Sequence, residues 1–127
     1  MSQRRQQLGQ QGEQIAVDHL KRLGYRIQHR NYRCHRGEID IIARDGSTLV
    51  FIEVKTKSQA SFGTPQAMVN RTKQHTITHV AMSYVQQHQL HNAALRFDVV
   101  AITFLADGAP DVNHIPAAFS PSASFFY

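Results

Sequence analysis

The alternation of apolar and polar residues divides the chain into two helices and four strands. Apolar residues recur at helical spacing over about Leu8–Leu23, and Gly24 follows where a helix commonly ends. A second helical pattern covers Met68–Gln89, and Pro65 is suited to the first turn of that helix. The polar segment Met1–Gln7 is expected to be frayed.

Four segments have the composition of β-strands. They are Tyr25–His29, Glu38–Ala43, Thr48–Val54 and Arg96–Ile102. Asp45-Gly46 lies between the second and third segments and predicts a tight antiparallel hairpin. The third segment is apolar at nearly every position, which is typical of a central strand covered on both faces. The basic segment Arg30–Gly37 has no regular pattern.

The order α-β-β-β-α-β predicts an α/β fold, in which a mixed sheet carries one helix on each face. A chain of 127 residues fits one domain, with its core over about residues 9–102. Residues 106–127 contain three of the four prolines. This tail is expected to pack loosely along the surface.

Composition narrows the class of protein. The net charge of +5 and the pI of about 9.8 favour polyanionic partners such as nucleic acid or anionic lipid. Cys34 is the only cysteine, which excludes an internal disulfide and fits a reducing compartment. No signal segment and no apolar run of about 20 residues is present, so we expect a cytoplasmic protein outside the membrane.

Three charged side chains interrupt the apolar strands of the predicted hairpin. Residues two apart in a strand share a face, so Glu53 and Lys55 project to one side, with Val54 opposite. Asp40 lies on the partner strand, where it can sit beside Glu53 across the hairpin. Two carboxylates and one ammonium group therefore converge on an otherwise apolar sheet.

Such a cluster is costly for folding, because like charges repel and partly buried charges lose hydration. A divalent cation reverses this cost, since carboxylate oxygens bind Mg²⁺, which also recruits substrate phosphate. Asp40 and Glu53 are thus candidate ligands of Mg²⁺ or Mn²⁺, and Lys55 is a candidate to orient a nucleophilic water. The simpler alternative is an exposed cross-strand ion pair worth less than about 1 kcal/mol.

Four ordered motifs carry a resemblance to known proteins. They are Gly12-Glu13, Gly37-Glu38-Ile39-Asp40, Phe51-Ile52-Glu53-Val54-Lys55-Thr56 and Arg96-Phe97-Asp98-Val99. Over roughly Gly9–Ile102 they resemble the YraN family of bacterial nuclease-like proteins. That family lies in the PD-(D/E)XK superfamily, where an acid on one strand and E-x-K on the next form the metal site. One departure is Ile39, which stands where the superfamily often has proline.

The resemblance implies a restriction-endonuclease-like three-layer sandwich, related to archaeal Holliday-junction resolvases and restriction endonucleases. It implies a metal-dependent endonuclease that acts on DNA, with branched or structured DNA as a favoured substrate. Asp40, Glu53 and the carbonyl of Val54 would hold the metal. Lys55 would assist catalysis, and Glu13 would add an acid from the first helix. Alternatively, Glu13 is a solvated first-turn acid favoured by the helix dipole.

Further polar residues near these motifs have two interpretations each. Glu38 either assists the metal or only borders it. Gln66 and Lys73, at the start of the second helix, lie either near the scissile phosphate or on a solvated helix face. For Asp98 we expect a structural role, with a buried hydrogen bond to the backbone or to Arg96.

Basic residues surround the candidate site in sequence and predict a face that binds nucleic acid, since Lys and Arg neutralise phosphates. The candidates are Arg30, Arg33, Arg36, Lys57, Arg71 and Lys73. Tyr32, within this basic segment, is a candidate to stack on a base. Alternatively, these residues form an ordinary solubilising surface.

Two other classes of function stay open. One is a nucleic-acid-binding module that keeps the nuclease fold without cutting, or a nuclease subunit that needs a partner. The other is an assembly protein that forms a homodimer through the second helix or the aromatic tail Phe125-Phe126-Tyr127. The histidine pairs His29 with His35 and His75 with His79 do not predict a structural zinc site, because a second cysteine and an H-E-x-x-H motif are both missing.

Overall fold

The computed structural model describes residues 3–58 and 69–121, without the side chains of residues 3–5 and 58. Its elements, in chain order, are α1 (Gln3–Arg22), β1 (Arg26–Cys34), β2 (Gly37–Asp45), β3 (Thr48–Ser58), α2 (Arg71–Gln87), β4 (Leu95–Phe104) and β5 (Pro110–Phe119). The five strands form one mixed sheet in the order β1-β2-β3-β4-β5. The predicted α/β class with a mixed sheet and two helices is confirmed.

The sheet consists of an antiparallel β1-β2-β3 meander, a parallel β3-β4 pair and an antiparallel β4-β5 pair. The predicted hairpin between β2 and β3 is confirmed, and Gly46 turns it with a φ of 61°. Glycine suits this position because a tight hairpin turn needs a positive φ there. β3 lies at the centre of the sheet, between β2 and β4.

Each face of the sheet packs against one helix. On one face Phe51 of β3 packs with residues of α2, including Val80 and Tyr84. On the other face Ile52 of β3 packs with residues of α1, including Leu20. Side chains therefore alternate between the two cores along β3, as expected of a strand that is buried on both sides.

α1 and the four predicted strands are all longer than the sequence predicts, and the largest extensions are at the start of α1 and the end of β1. α1 is already helical at Gln3, so the expected fraying up to Gln7 is wrong for residues 3–7, where glutamine and arginine are good helix formers. It ends as predicted at Gly24 (φ 93°), with the amide of Tyr25 bonded to the carbonyl of Leu20 at 3.0 Å. β1 continues through the supposedly irregular basic segment as far as Cys34.

The expected start of α2 falls partly outside the described residues, since Pro65 and Met68 lie in the segment 59–68. The helix itself begins at Arg71 and is capped by Asn70, whose Oδ1 accepts the amide of Lys73 at 2.9 Å. It ends at Gln87, close to the predicted position.

The prediction of a loosely packed tail is wrong for residues 110–119, which form β5. This strand pairs with β4, and Phe119 stacks on Phe97 with ring centroids 5.1 Å apart. Pro110 stands at its first position and Pro116 is exposed on it, places that an edge strand tolerates because no ladder partner needs their missing N–H. The aromatic tail 125–127 lies outside the described residues.

Candidate active site

β2 and β3 part at the position of two acidic residues. Their ladder ends at the pair Ile41–Ile52; beyond it, β2 pairs with β1 and β3 pairs with β4. Asp40 and Glu53 are the next residues on the two strands, so they lie where the sheet opens. We call these two residues the acid pair.

The acid pair is held together by hydrogen bonding and is largely buried. Asp40 Oδ2 accepts the backbone amide of Val54 at 2.8 Å, and its carboxyl also hydrogen-bonds to Glu53. Burial, followed by the hydrogen bond and the negative charge of Glu53, raises the pKa of Asp40 to about 8. Two carboxylates so close cannot both ionise easily, so without a cation the pair holds one proton at neutral pH.

One oxygen of the pair has a cation nearby but no hydrogen bond among the described residues. The Glu53 side chain is only 6% exposed, and its Oε2 has no hydrogen-bond partner among the described residues. Lys73 Nζ lies 3.2 Å from this atom, within ion-pair distance but outside hydrogen-bond geometry. A buried carboxylate oxygen without a hydrogen bond is costly, and a hard cation would satisfy it.

Lys55 lies two residues after Glu53 on β3, so the two side chains project from the same face of the strand. That face is directed toward α2, because Phe51 packs in the core on the α2 side and Glu53 lies beside Lys73 of α2. Its side chain is half-buried. No hydrogen bond or ion pair engages it within the part of the chain that the structure describes. The predicted convergence of Asp40 and Glu53 is therefore observed, and Lys55 stands two residues further along β3.

A polar cleft of about 740 Å³ opens beside the acid pair, between α1 and the first three strands. It is lined by Gln6, Gly9, Gln10, Glu13, Asn31, Arg33, Glu38, Asp40, Val54 and Thr56. Three of the predicted site residues, Glu13, Asp40 and Val54, thus share one cavity. Most of its lining residues are polar, which suits a hydrophilic ligand.

Glu13 belongs to the wall of this cleft. It lies in the middle of α1, which has no acid in its first turn, so the helix-dipole alternative is wrong. Its Oε1 accepts bonds from Arg30 at 3.3 Å and from Asn31 Nδ2 at 3.1 Å. Asn31 has a φ of 54° and breaks the β1 ladder opposite Asp40; asparagine is one of the few residues that tolerates this conformation. The sequence does not predict this distortion.

The predicted basic face is partly committed to ion pairs. Arg30 binds Glu13, Arg33 binds Glu38 at 2.8 Å, and Lys73 lies against Glu53. Arg33 nevertheless stays 75% exposed. Arg36 and Arg71 are exposed, and Lys57 is half-buried.

Tyr32 is not placed to stack on a base. It is buried in the α2 core, where it packs edge-on against Tyr84 with centroids 5.1 Å apart, and its hydroxyl donates to Gln87 at 2.9 Å. The prediction that Tyr32 stacks on a base is wrong, because residues 30–34 continue β1 and direct this side chain into the core.

Asp98 makes the buried hydrogen bonds that the sequence predicts for a structural role. It is fully buried and binds Arg96 Nε at 2.9 Å and the amide of Ala117 at 3.0 Å. Its further partners, Tyr25 and His114, come from distant parts of the chain and were not predicted.

Other predicted residues contribute less. Gln66 lies outside the described residues. His75 and His79 contact each other, with their Nε2 atoms 3.0 Å apart.

Within residues 3–58 and 69–121, no three His, Cys, Asp or Glu side chains form a metal-binding group, so the acid pair is a two-carboxylate site.

Comparison with known proteins identifies the family. The model of UPF0102, described as an uncharacterised protein family, matches residues 12–102, which include Glu13, the acid pair, Lys55 and Asp98. The chain belongs to UPF0102.

UPF0102 proteins from several bacteria are similar along most of their length. One from Geobacter sulfurreducens is 48% identical over 112 residues, 88% of each chain. One from Geotalea daltonii is 50% identical over 112 residues, again 88% of each. One from Caldicellulosiruptor saccharolyticus is 44% identical over 116 residues, 91% of this chain and 98% of the relative.

In this UPF0102 chain, neither α1 nor α2 is sufficiently long and apolar for a transmembrane helix, as judged over the residues that the structure describes.

Close packing of α1 on β3 sets one wall of the cleft. A Cβ added to Gly12 would overlap the hydroxyl of Thr56, whereas one added to Gly9 meets nothing within 4 Å. Gly12→Ala is therefore expected to destabilise the protein by about 1–3 kcal/mol. Gly9→Ala, a matched change on the same helix, is expected to be neutral or to stabilise by up to about 1 kcal/mol. Urea unfolding of both variants tests this, and equal stabilities would show that α1 can shift away from β3 without cost.

Proposed function

We propose that this protein is a metal-dependent endonuclease of the PD-(D/E)XK kind, with a restriction-endonuclease-like fold, that hydrolyses phosphodiester bonds in DNA. The acid pair carries the proposal. Two carboxylates meet at a fork in a buried sheet, and one of their oxygens has no hydrogen bond among the residues that the structure describes. A fold gains nothing in stability from such a pair, whereas a divalent cation would match both its charge and its oxygen ligands.

Asp40, Glu53 and the carbonyl of Val54 would hold Mg²⁺ or Mn²⁺. The bound cation would neutralise phosphate charge and lower the pKa of a coordinated water. Lys55 projects from the same face of β3 as Glu53. From there it would donate to the phosphate oxygens that gain charge, or hold the attacking water. Glu13 would contribute indirectly, by holding Arg30 and Asn31 at the wall of the cleft.

The charge distribution supports DNA as the substrate. The chain carries a net charge of +5, although three acids, Glu13, Glu38 and Asp40, line the cleft itself. Exposed Arg33, Arg36 and Arg71 would contact phosphates on either side of the cleft, where they give affinity without reading sequence.

A cleavage assay tests the proposal. Supercoiled plasmid, linear duplex and four-way-junction DNA would be incubated with the protein and Mg²⁺ or Mn²⁺. We expect cleavage by the wild type and rates at least about 100-fold lower for Asp40→Asn and for Lys55→Met. Asp18→Asn, an exposed acid on α1, is the control and should cleave like the wild type. Equal rates in the wild type and both site variants would contradict the proposal.

A non-cutting nucleic-acid-binding module is the second candidate. It is favoured by the finding that, within the described residues, no third His, Cys, Asp or Glu side chain completes a metal-binding group with the acid pair. Calorimetric titration with Mn²⁺ distinguishes the two functions, because the module would show no binding heat that Glu53→Gln abolishes.

A further inference from the structure

Lys73 and Lys55 are both near Glu53, but in different ways. Lys55 follows Glu53 on β3 and forms no ion pair among the described residues, whereas Lys73 comes from α2 and reaches Glu53 Oε2 at 3.2 Å. The backbone of Lys73 is fixed by the Asn70 cap, so its side chain starts from a defined point. Of the two lysines, Lys73 is therefore the one that neutralises the buried carboxylate.

The contact between Lys73 and Glu53 is electrostatic rather than a formed hydrogen bond, because Glu53 Oε2 has no partner of suitable geometry within the described part of the chain. The Lys73 side chain is 40% exposed, whereas that of Glu53 is 6% exposed. A lysine head on a flexible four-carbon stem can leave such a contact for water at little cost. Glu53 cannot follow it, so another cation must replace it.

We propose that Lys73 is a stand-in cation, which neutralises Glu53 while the metal site is empty and withdraws when a divalent cation binds. Lys73 is thus a positioning residue: it keeps a buried carboxylate in place for the metal, and its withdrawal frees a positive charge at the edge of the site for a phosphate. This role rests on the proposed metal site of the acid pair.

The role predicts that Lys73 competes with the metal. In calorimetric titrations with Mn²⁺ and no DNA, Lys73→Met is expected to bind about three- to tenfold more tightly than the wild type, because a nearby positive charge has been removed. Arg71→Met is the matched control: it removes a cation from the same helical turn, but one that is exposed and has no ion pair among the described residues. Its affinity is expected to stay within about twofold of the wild type.

A second readout separates this role from a merely structural one. Without metal, Lys73→Met is expected to unfold about 3–8 °C lower than Arg71→Met, and saturating Mn²⁺ should remove the difference. A structural lysine would lower both the stability and the metal affinity. Lys73→Gln provides a second neutral variant if Lys73→Met folds poorly.

The outcomes also separate this inference from the proposed function. Metal binding by the wild type with unchanged or weaker binding by Lys73→Met overturns the stand-in role and leaves the nuclease proposal intact. No binding by any variant overturns both. Tighter binding by Lys73→Met, with Arg71→Met like the wild type, establishes the competition.

Discussion

Replacing Asp98 with alanine is expected to destabilise the protein by about 3–5 kcal/mol, because it would leave the partly buried cation Arg96 without its main partner. The Asp98 carboxylate accepts bonds from Arg96 and His114 at 2.9 Å, from the amide of Ala117 at 3.0 Å and from the hydroxyl of Tyr25 at 3.3 Å. Three segments of the chain, namely β4, β5 and the segment that leads into β1, therefore depend on one side chain.

The same contacts make the loss of stability in Asp98→Ala depend on pH. Burial alone would raise the pKa of Asp98, but hydrogen bonds from His114, Arg96 and Ala117 lower it to about 2. A lowered carboxyl pKa stabilises the fold above the unfolded value near 4, and the stabilisation is lost as the pH falls toward 2. The difference between wild type and Asp98→Ala should therefore be full at neutral pH and shrink below pH 4.

Urea unfolding at several pH values measures this difference. Asp111→Ala, an exposed acid on β5, is the control and should change stability by less than about 0.5 kcal/mol. β5 should loosen first in Asp98→Ala, since two of the lost contacts come from His114 and Ala117; hydrogen exchange of its amides would show this. A loss below about 1 kcal/mol at neutral pH would mean that Arg96 keeps enough support from Asp45, 2.9 Å away.

Asp98 also explains why β5 could not be predicted from the sequence. Prolines at 110 and 116 and few apolar residues argue against a strand, and local patterns are all that a sequence displays. The ladder is also irregular: Ala117 has a φ of 52°, and its amide donates to the side chain of Asp98 rather than to the backbone of β4. β5 is thus held by a tertiary contact with β4.

The position of the acid pair, in contrast to β5, could be predicted from the sequence. Its position follows from short-range features, namely the Asp45-Gly46 turn and the alternation of residues along β3, so Asp40 and Glu53 could be placed side by side from sequence. Lys73 could not be assigned to Glu53 in this way, because the register of α2 against β3 depends on packing between distant segments. Nor could the burial of Tyr32 be predicted, because the predicted strand ends at His29 whereas β1 continues to Cys34.

Metal binding is expected to be strongly coupled to pH through Asp40. With its pKa raised to about 8 by burial and by Glu53, the pair carries a proton that a cation must displace. Below pH 8 the affinity for Mn²⁺ should therefore rise about tenfold per pH unit, and it should level off above that value. Near pH 7 binding should release about one proton, which calorimetry in buffers of different ionisation enthalpy measures directly.

The stability of the metal-free protein should show the opposite trend. The pKa of Asp40 is higher in the folded than in the unfolded chain, so ionisation favours unfolding, and stability should fall as the pH rises from about 4 to 8. Asp40→Asn removes the ionisation and can still accept the amide of Val54. At pH 8 without metal it should be more stable than the wild type by about 1–3 kcal/mol, and it should gain nothing from Mn²⁺.

These two results together identify the purpose of the acid pair. A pair that serves the fold would make Asp40→Asn less stable at every pH, with or without metal. A pair kept for a cation makes the wild type less stable than Asp40→Asn when the cation is absent, and more stable when it is present. Asp18→Asn, on the exposed face of α1, should show neither change. The reversal on adding Mn²⁺ is therefore the decisive measurement, because only a ligand that binds the ionised pair in the folded chain can produce it.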